Sequence, residues 1–215
     1  MKNRRKIYFW FVTLVISLPL LAFSFVRYIE SNNQSLPFYG ENVNEKSAEE
    51  AKKVNSFQFT NQDGNTLDGK FVEGKVWVAC YFFTTCSTIC PKMIAGMGDI
   101  QRNFSNEDRL RMVAFTVDPV NDTPEVLKEY ATTRNINTKQ WSLLTGNKKE
   151  LYRYARKELA LLATDGDGGP QDFIHSDRLV LIDQNNFIRG YYDGTEPAEV
   201  KQLIIDIKKL LKRLR

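Results

Sequence analysis

The sequence predicts an α/β fold: a mixed sheet with helices on both faces, an N-terminal β-hairpin extension, and one transmembrane helix before it. Three observations carry this expectation. Strand-like and helix-like runs alternate from residue 55 to the last helix. One of them, residues 76–83 (VWVACYFF), is apolar on both faces, as a central strand covered from both sides would be. Residues 7–26 (IYFWFVTLVISLPLLAFSFV) form a run of 20 positions without a charge, about the length that spans a hydrocarbon core.

The apolar run follows a basic flank, residues 1–6, with Lys2, Arg4, Arg5 and Lys6 and no acidic group. Such flanks stay cytoplasmic and send the C-terminal body across the membrane. A cleaved signal peptide would show a shorter apolar stretch and a small-x-small site, and Leu21-Ala22-Phe23-Ser24 matches poorly. No cysteine follows the run, so a lipoprotein anchor is not expected. Residues 27–54 read as a polar tether, with Asn32-Asn33-Gln34-Ser35 and a charged run over 45–53. Residues 55–215 read as the folded body.

Within the body, Phe57-Gln58-Phe59-Thr60 alternates, meets Asp63-Gly64-Asn65 and resumes, a hairpin signal. After the 76–83 strand, Pro91 suits a first helical position. Met93, Ile94, Met97, Ile100 and Phe104 then recur at helical spacing. Residues 110–117 (LRMVAFTV) read as a strand. Pro124 opens a helix to about Arg134, with Asp122 or Thr123 as its cap. A short strand over 141–144, a helix over 148–161 and a hairpin of 178–183 with 187–192 around Gln184-Asn185-Asn186 follow. The helix from Pro197 has Val200, Leu203, Ile204, Ile207, Leu210 and Leu211 on its inner stripe. This order is thioredoxin-like, with the first hairpin as the extension, and such a fold places its chemistry where the first central strand feeds its helix.

Of 215 residues, 42% are hydrophobic and 26% charged, an ordinary globular composition. The net charge of +4 is accounted for by the first six residues; beyond them acidic and basic groups balance. A second basic cluster, Lys201, Lys208, Lys209, Lys212, Arg213 and Arg215, lies on the last helix, where it reads as a solvated face or one turned to anionic headgroups. Everything between, residues 7–196, is mildly acidic, and nothing in it resembles a nucleic-acid footprint.

The chain has three cysteines and one histidine. Cys80, inside VWVACYFF, reads as a small core residue. Cys86 and Cys90 lie in FFTTCSTICPKM (82–93), a Thr/Ser-rich loop leading to a helix N-terminus, where exposed amides and the helix dipole favour thiolate. Wrapped as a helical turn, this i, i+4 spacing puts both sulfurs on one face. That arrangement suits a disulfide or a shared soft metal, and two inert thiols are the alternative. His175 follows a Gly/Asp-rich stretch (164–174) and precedes the strand at 178, opposite the cysteine loop in a thioredoxin-like fold. Two thiolates and an imidazole favour Cu(I), with Cu(II) tolerated by the imidazole. Zinc is the rival, but a closed site wants four ligands. Ile174-His175-Ser176-Asp177 occupies the slot that holds a cis-proline in thioredoxin-like reductases. A peroxiredoxin-type nucleophile motif would need Thr at 83, where Phe83 stands.

These residues resemble the Sco/SenC family of membrane-tethered, thioredoxin-fold copper proteins. The resemblance covers about residues 55–212 and rests on several stretches. They are Phe57 to Gly64, FFTTCSTICPKM, Val117-Asp118-Pro119 with the run from Asp122 to Tyr130, His175 before a strand, and Arg189-Gly190-Tyr191-Tyr192-Asp193-Gly194. It implies copper ligation by Cys86, Cys90 and His175 and a redox disulfide between the two cysteines. It further implies a role in building the dinuclear copper centre of cytochrome c oxidase, with that enzyme's copper-bearing subunit as partner and other copper chaperones or thiol reductants upstream. Residues 160–174 depart from the family pattern, which bears on how His175 is aimed. Asp118 and Asp172 are candidates to orient the imidazole. The competing reading for the aspartates at 118 and 122 is that they shape a turn and cap a helix, which is the one expected of Asp122. The alternative function is an extracytoplasmic thiol–disulfide oxidoreductase or redox sensor using Cys86 and Cys90. The expected location is a bacterial inner membrane, single-pass, with the body on the periplasmic side.

Overall fold

The computed structural model describes residues 2–33, 36–39, 45–46, 51, 53–165 and 173–214. It divides into two compact units, residues 1–35 and 36–215. The first contains helix α1 (Lys2–Asn33), with Pro19 inside it. Trp10, Phe11, Leu14, Leu18, Leu21 and Phe25 on α1 are each at least 59% exposed, so this helix offers apolar side chains outward. Among the described residues no helix is long and apolar enough to cross a membrane. The side chains of Ile7, Tyr8, Phe9, Val12 and Val26, which belong to the apolar run, lie outside that description.

The second unit begins with short strands β1 (Phe38–Tyr39) and β2 (Glu45–Lys46), paired antiparallel. Next come β3 (Gln58–Asn61) and β4 (Thr66–Asp68), joined through Gly64, whose φ of +76° is the left-handed conformation glycine tolerates. Then follow β5 (Val76–Phe82), α2 (Cys90–Asn103), β6 (Leu110–Thr116), α3 (Pro124–Thr133), β7 (Trp141–Thr145) and α4 (Lys148–Lys157). The chain continues with β8 (Ala163–Asp165), β9 (Phe173–His175), β10 (Arg178–Ile182), β11 (Ile188–Asp193) and α5 (Pro197–Arg213).

Seven strands form the main sheet in the order β11-β10-β5-β6-β7-β3-β4. The three central strands, β5, β6 and β7, are parallel, and the flanking strands join antiparallel. Every residue of β5 is buried, which explains its unbroken apolar run. Alternation along β5 sends neighbouring rings to opposite faces. Tyr81 stacks on Phe115 of β6, which meets Tyr154 of α4, while Phe82 packs on Tyr130 of α3. Each such buried ring contributes about 1.5–3 kcal/mol of transfer free energy. Gly96 of α2 lets that helix approach closely, since a Cβ there would stand 2.9 Å from the Gly194 carbonyl oxygen.

Two findings extend the expectation. The first lies within the stretch read as a tether. Residues 36–39 pack on the sheet edge, with Phe38 edge-on to Phe187 and Tyr39 edge-on to Tyr191. The second lies within the Gly/Asp-rich stretch, where β8 and β9 form their own antiparallel pair with Ala163 opposite His175.

Candidate metal and redox site

The loop from Phe83 to Ile89 leaves the C-terminal end of β5 and enters α2 at Cys90, with Pro91 in the first turn. No side-chain oxygen caps α2. The Cys86 sulfur lies 3.7 Å from the Thr88 hydroxyl, near this start of the helix. The Cys90 thiol also bonds to Cys86. The two sulfurs are therefore neighbours, although Cys86 sits in the loop and not on the helix as the i, i+4 picture implied.

Their surroundings are unequal. Partial burial works to raise the Cys86 thiol, but hydrogen bonds from the Cys90 thiol and amide and from Thr88 outweigh it, and the net shift is downward. Burial pushes the Cys90 thiol well up, as does its bond to Cys86, and the Phe83 amide only partly offsets them. Cys90 is 1% exposed and Cys86 partly exposed. The pair is therefore unequal: the more acidic thiol is the accessible one, and the buried thiol keeps its proton. It also suits a soft cation, whose charge would draw the second proton off. Cys80 lies apart in β5, fully buried and unionised, pushed up to about 12 by burial.

His175 ends β9. The register of β10 against β5, with Val180 opposite Ala79, runs the chain before Arg178 toward the end of β5 that launches the cysteine loop. The His175 side chain and all of Asp172 lie outside the described residues. Among the described residues no three Cys, His, Asp or Glu side chains converge as a metal site. Asp118 is buried just beyond β6, where its carboxylate accepts from Asn121 Nδ2 at 2.7 Å and its amide donates to Thr116 Oγ1 at 2.9 Å. Thr123 is the cap of α3, accepting from the Val126 amide.

Sequence reasoning missed the reach of Asp122, which it read as a turn or cap residue. It is fully buried, and its carboxylate accepts from the Thr84 hydroxyl at 2.5 Å, from the Thr84 amide and from the Thr116 hydroxyl. The signal available was the density of Thr around the cysteines, whose hydroxyls needed acceptors if buried.

A mixed sheet of thioredoxin type, with a Cys-x-x-x-Cys pair where its first central strand feeds a helix, defines a class of dithiol proteins. The comparisons narrow that class. The SCO1/SenC family model matches residues 45–212, and the chain belongs to this family. A SCO1 protein homolog of Bacillus subtilis (strain 168) is 34% identical over 158 residues, 73% of this chain and 81% of that one. A SCO1/SenC family lipoprotein from Bacillus anthracis str. Ames superposes with a TM-score of 0.68 at 35% identity, over 74% of this chain and 95% of that one. BsSco, a member of the Sco family of cytochrome c oxidase assembly proteins in which a disulfide switch was identified, gives a TM-score of 0.67 at 30% identity, over 82% and 98%.

Proposed function

We propose that this protein is a membrane-anchored copper-binding factor that delivers copper to, or prepares the thiols of, the dinuclear copper centre of cytochrome c oxidase. The observation that carries it is the pairing of Cys86 and Cys90 at the uncapped start of α2, one thiol lowered and the other buried. Cys86, Cys90 and His175 hold the copper in this reading. Two sulfurs and an imidazole retain Cu(I) and release it by ligand exchange to a partner richer in sulfur or nitrogen. Asp118 and Asp172 orient the imidazole. BsSco, described as belonging to a family of oxidase assembly proteins, supports the copper-bearing oxidase subunit as recipient.

Residues 7–26 anchor the chain in the bacterial inner membrane, with the body on the periplasmic side. The outward apolar side chains of α1 support this, since water would not retain such a surface. No cysteine directly follows the run, as a lipid-modified start would need.

The inequality of the two thiols favours a second reading, a thiol–disulfide oxidoreductase or redox sensor, in which Cys86 attacks and Cys90 resolves. Anaerobic Cu(I) titration against a colorimetric chelator separates them, using the reduced chain in detergent beside Cys86→Ser and His175→Ala. One tight copper per chain, lost with Cys86→Ser and weakened at least tenfold (about 1.4 kcal/mol) with His175→Ala, is the expected result. No tight copper in the parent would leave the dithiol reading alone.

A further inference from the structure

One buried carboxylate has no part in the reading above. Asp122 is fully buried and follows β6 in a turn fixed by its own main chain, its amide donating to the Asp118 carbonyl at 2.9 Å. Helix α3 does not need it, because Thr123 is the cap. Its carboxylate instead reaches across to the cysteine loop. Oδ1 accepts from Thr84 Oγ1 at 2.5 Å, both oxygens stand 3.3 Å from the Thr84 amide nitrogen, and Oδ2 accepts from the Thr116 hydroxyl. Thr84 opens the loop, and its neighbour Phe83 makes the backbone contacts that shape the thiol pair. The Phe83 carbonyl accepts from the Cys86 amide at 3.3 Å, and the Phe83 amide reaches the Cys90 sulfur.

We propose that Asp122 is a positioning residue for the dithiol: by latching Thr84 to the end of β6 it holds the loop closed over Cys90 while leaving Cys86 open. The mount is rigid, since Asp122 and Thr116 both belong to the β6–α3 junction, and Thr84 is the half that moves. Without the carboxylate, the Thr116 hydroxyl loses its acceptor in a buried place, and the Thr84 amide and hydroxyl lose theirs in a half-buried one. Opening of the loop restores partners to them and uncovers Cys90. The inference rests on Cys86 and Cys90 being the working pair, and needs no bound metal.

Alkylation mapping tests it. The reduced full chain in detergent is pulsed with iodoacetamide at one pH, and modification of Cys80, Cys86 and Cys90 is followed by peptide mass spectrometry. In the parent, Cys86 reacts, Cys90 lags and Cys80, buried in β5, stays unmodified. Asp122→Ala raises Cys90 modification about tenfold and leaves Cys80 protected, the loss of at least one buried hydrogen bond setting that scale. Asp122→Asn keeps an oxygen for Thr84 and limits the rise to about threefold, while Thr84→Val moves Cys90 in the direction of Asp122→Ala. An unchanged Cys90 rate in Asp122→Ala overturns the proposal. So does joint exposure of Cys90 and Cys80, which would make Asp122 a general stabiliser of the body. If Asp122→Ala does not fold, Thr84→Val decides alone, and unchanged Cys90 protection there overturns the latch. Because the alkylation measurement uses no metal, failure of the parent to take copper would sink the copper function and leave this result standing.

Discussion

Cys80, Cys86 and Cys90 carry the same side chain and are separated by their surroundings. Cys80 meets only burial, which lifts it from 9.0 to about 12. A thiol whose folded value lies above its unfolded one stabilises the fold fully below about pH 9, and that contribution fades as pH rises toward about 12. At about pH 10.5 the loss is about 2 kcal/mol. Cys80→Ala should therefore lower stability at neutral pH through lost packing, yet show a flatter decline between about pH 8 and 10.5 in urea unfolding. A decline as steep as the parent's would show that Cys80 is not the group responsible. Asp122 obeys the same sign. Burial raises its carboxyl and the Thr116 and Thr84 donors only partly offset it, so a neutral Asn there forfeits little at neutral pH. The three cysteines were legible in the sequence because each depends on local pattern: an apolar strand for Cys80, a loop before a helix for the other two. Asp122 was not, because its partner Thr84 lies 38 residues away and only the pairing of β5 with β6 brings the two together.

Elements were legible where their pattern was self-contained. The all-buried β5, the Pro-initiated helices α2, α3 and α5, and the hairpin of β10 and β11 each announce themselves through periodicity or turn chemistry. The β8–β9 pair did not, being set in Gly- and Asp-rich sequence with no alternation to read. Nor did β1, whose signal was only the aromatic pair Phe38-Tyr39 in polar surroundings. What recruits β1 is a side chain on a distant strand. Arg189 of β11 is 5% exposed, pairs with Asp183 at 2.8 Å, donates to the Pro37 carbonyl at 2.9 Å and to the Leu36 carbonyl, and lies 3.9 Å over the Phe38 ring. Arg189→Ala would leave Asp183 buried without its cation, and truncations of this kind cost about 3–5 kcal/mol. Urea unfolding should show that loss, whereas an Arg189→Met, Asp183→Asn pair, which removes both charges and keeps an oxygen for the Asn185 and Phe187 amides, should cost less. An Arg189→Ala variant as stable as the parent would mean that water replaces the guanidinium at Asp183.

At the scale of the molecule, the division at residue 36 sets where a body free of α1 should begin. The family match begins at 45 and the expected body at 55, yet Leu36 is 9% exposed and residues 36–39 cover the β11 edge of the sheet. A chain of residues 36–215 should therefore unfold in one transition. A chain of residues 54–215 would lose the Leu36, Phe38 and Tyr39 side chains from that edge, about 3 kcal/mol of burial. For a domain of this size the loss lowers the melting temperature by roughly 10 °C. Both should keep the alkylation pattern of Cys86 over Cys90, because β10 stands between β11 and the strand that launches the cysteine loop. The two predictions about this edge are coupled. Arg189 gives the guanidinium donors that Leu36 and Pro37 accept, so Arg189→Ala should cost less in residues 54–215 than in residues 36–215. Equal costs in the two chains would show that Arg189 acts through Asp183 alone, and that residues 36–39 cover the edge without being held there by the guanidinium.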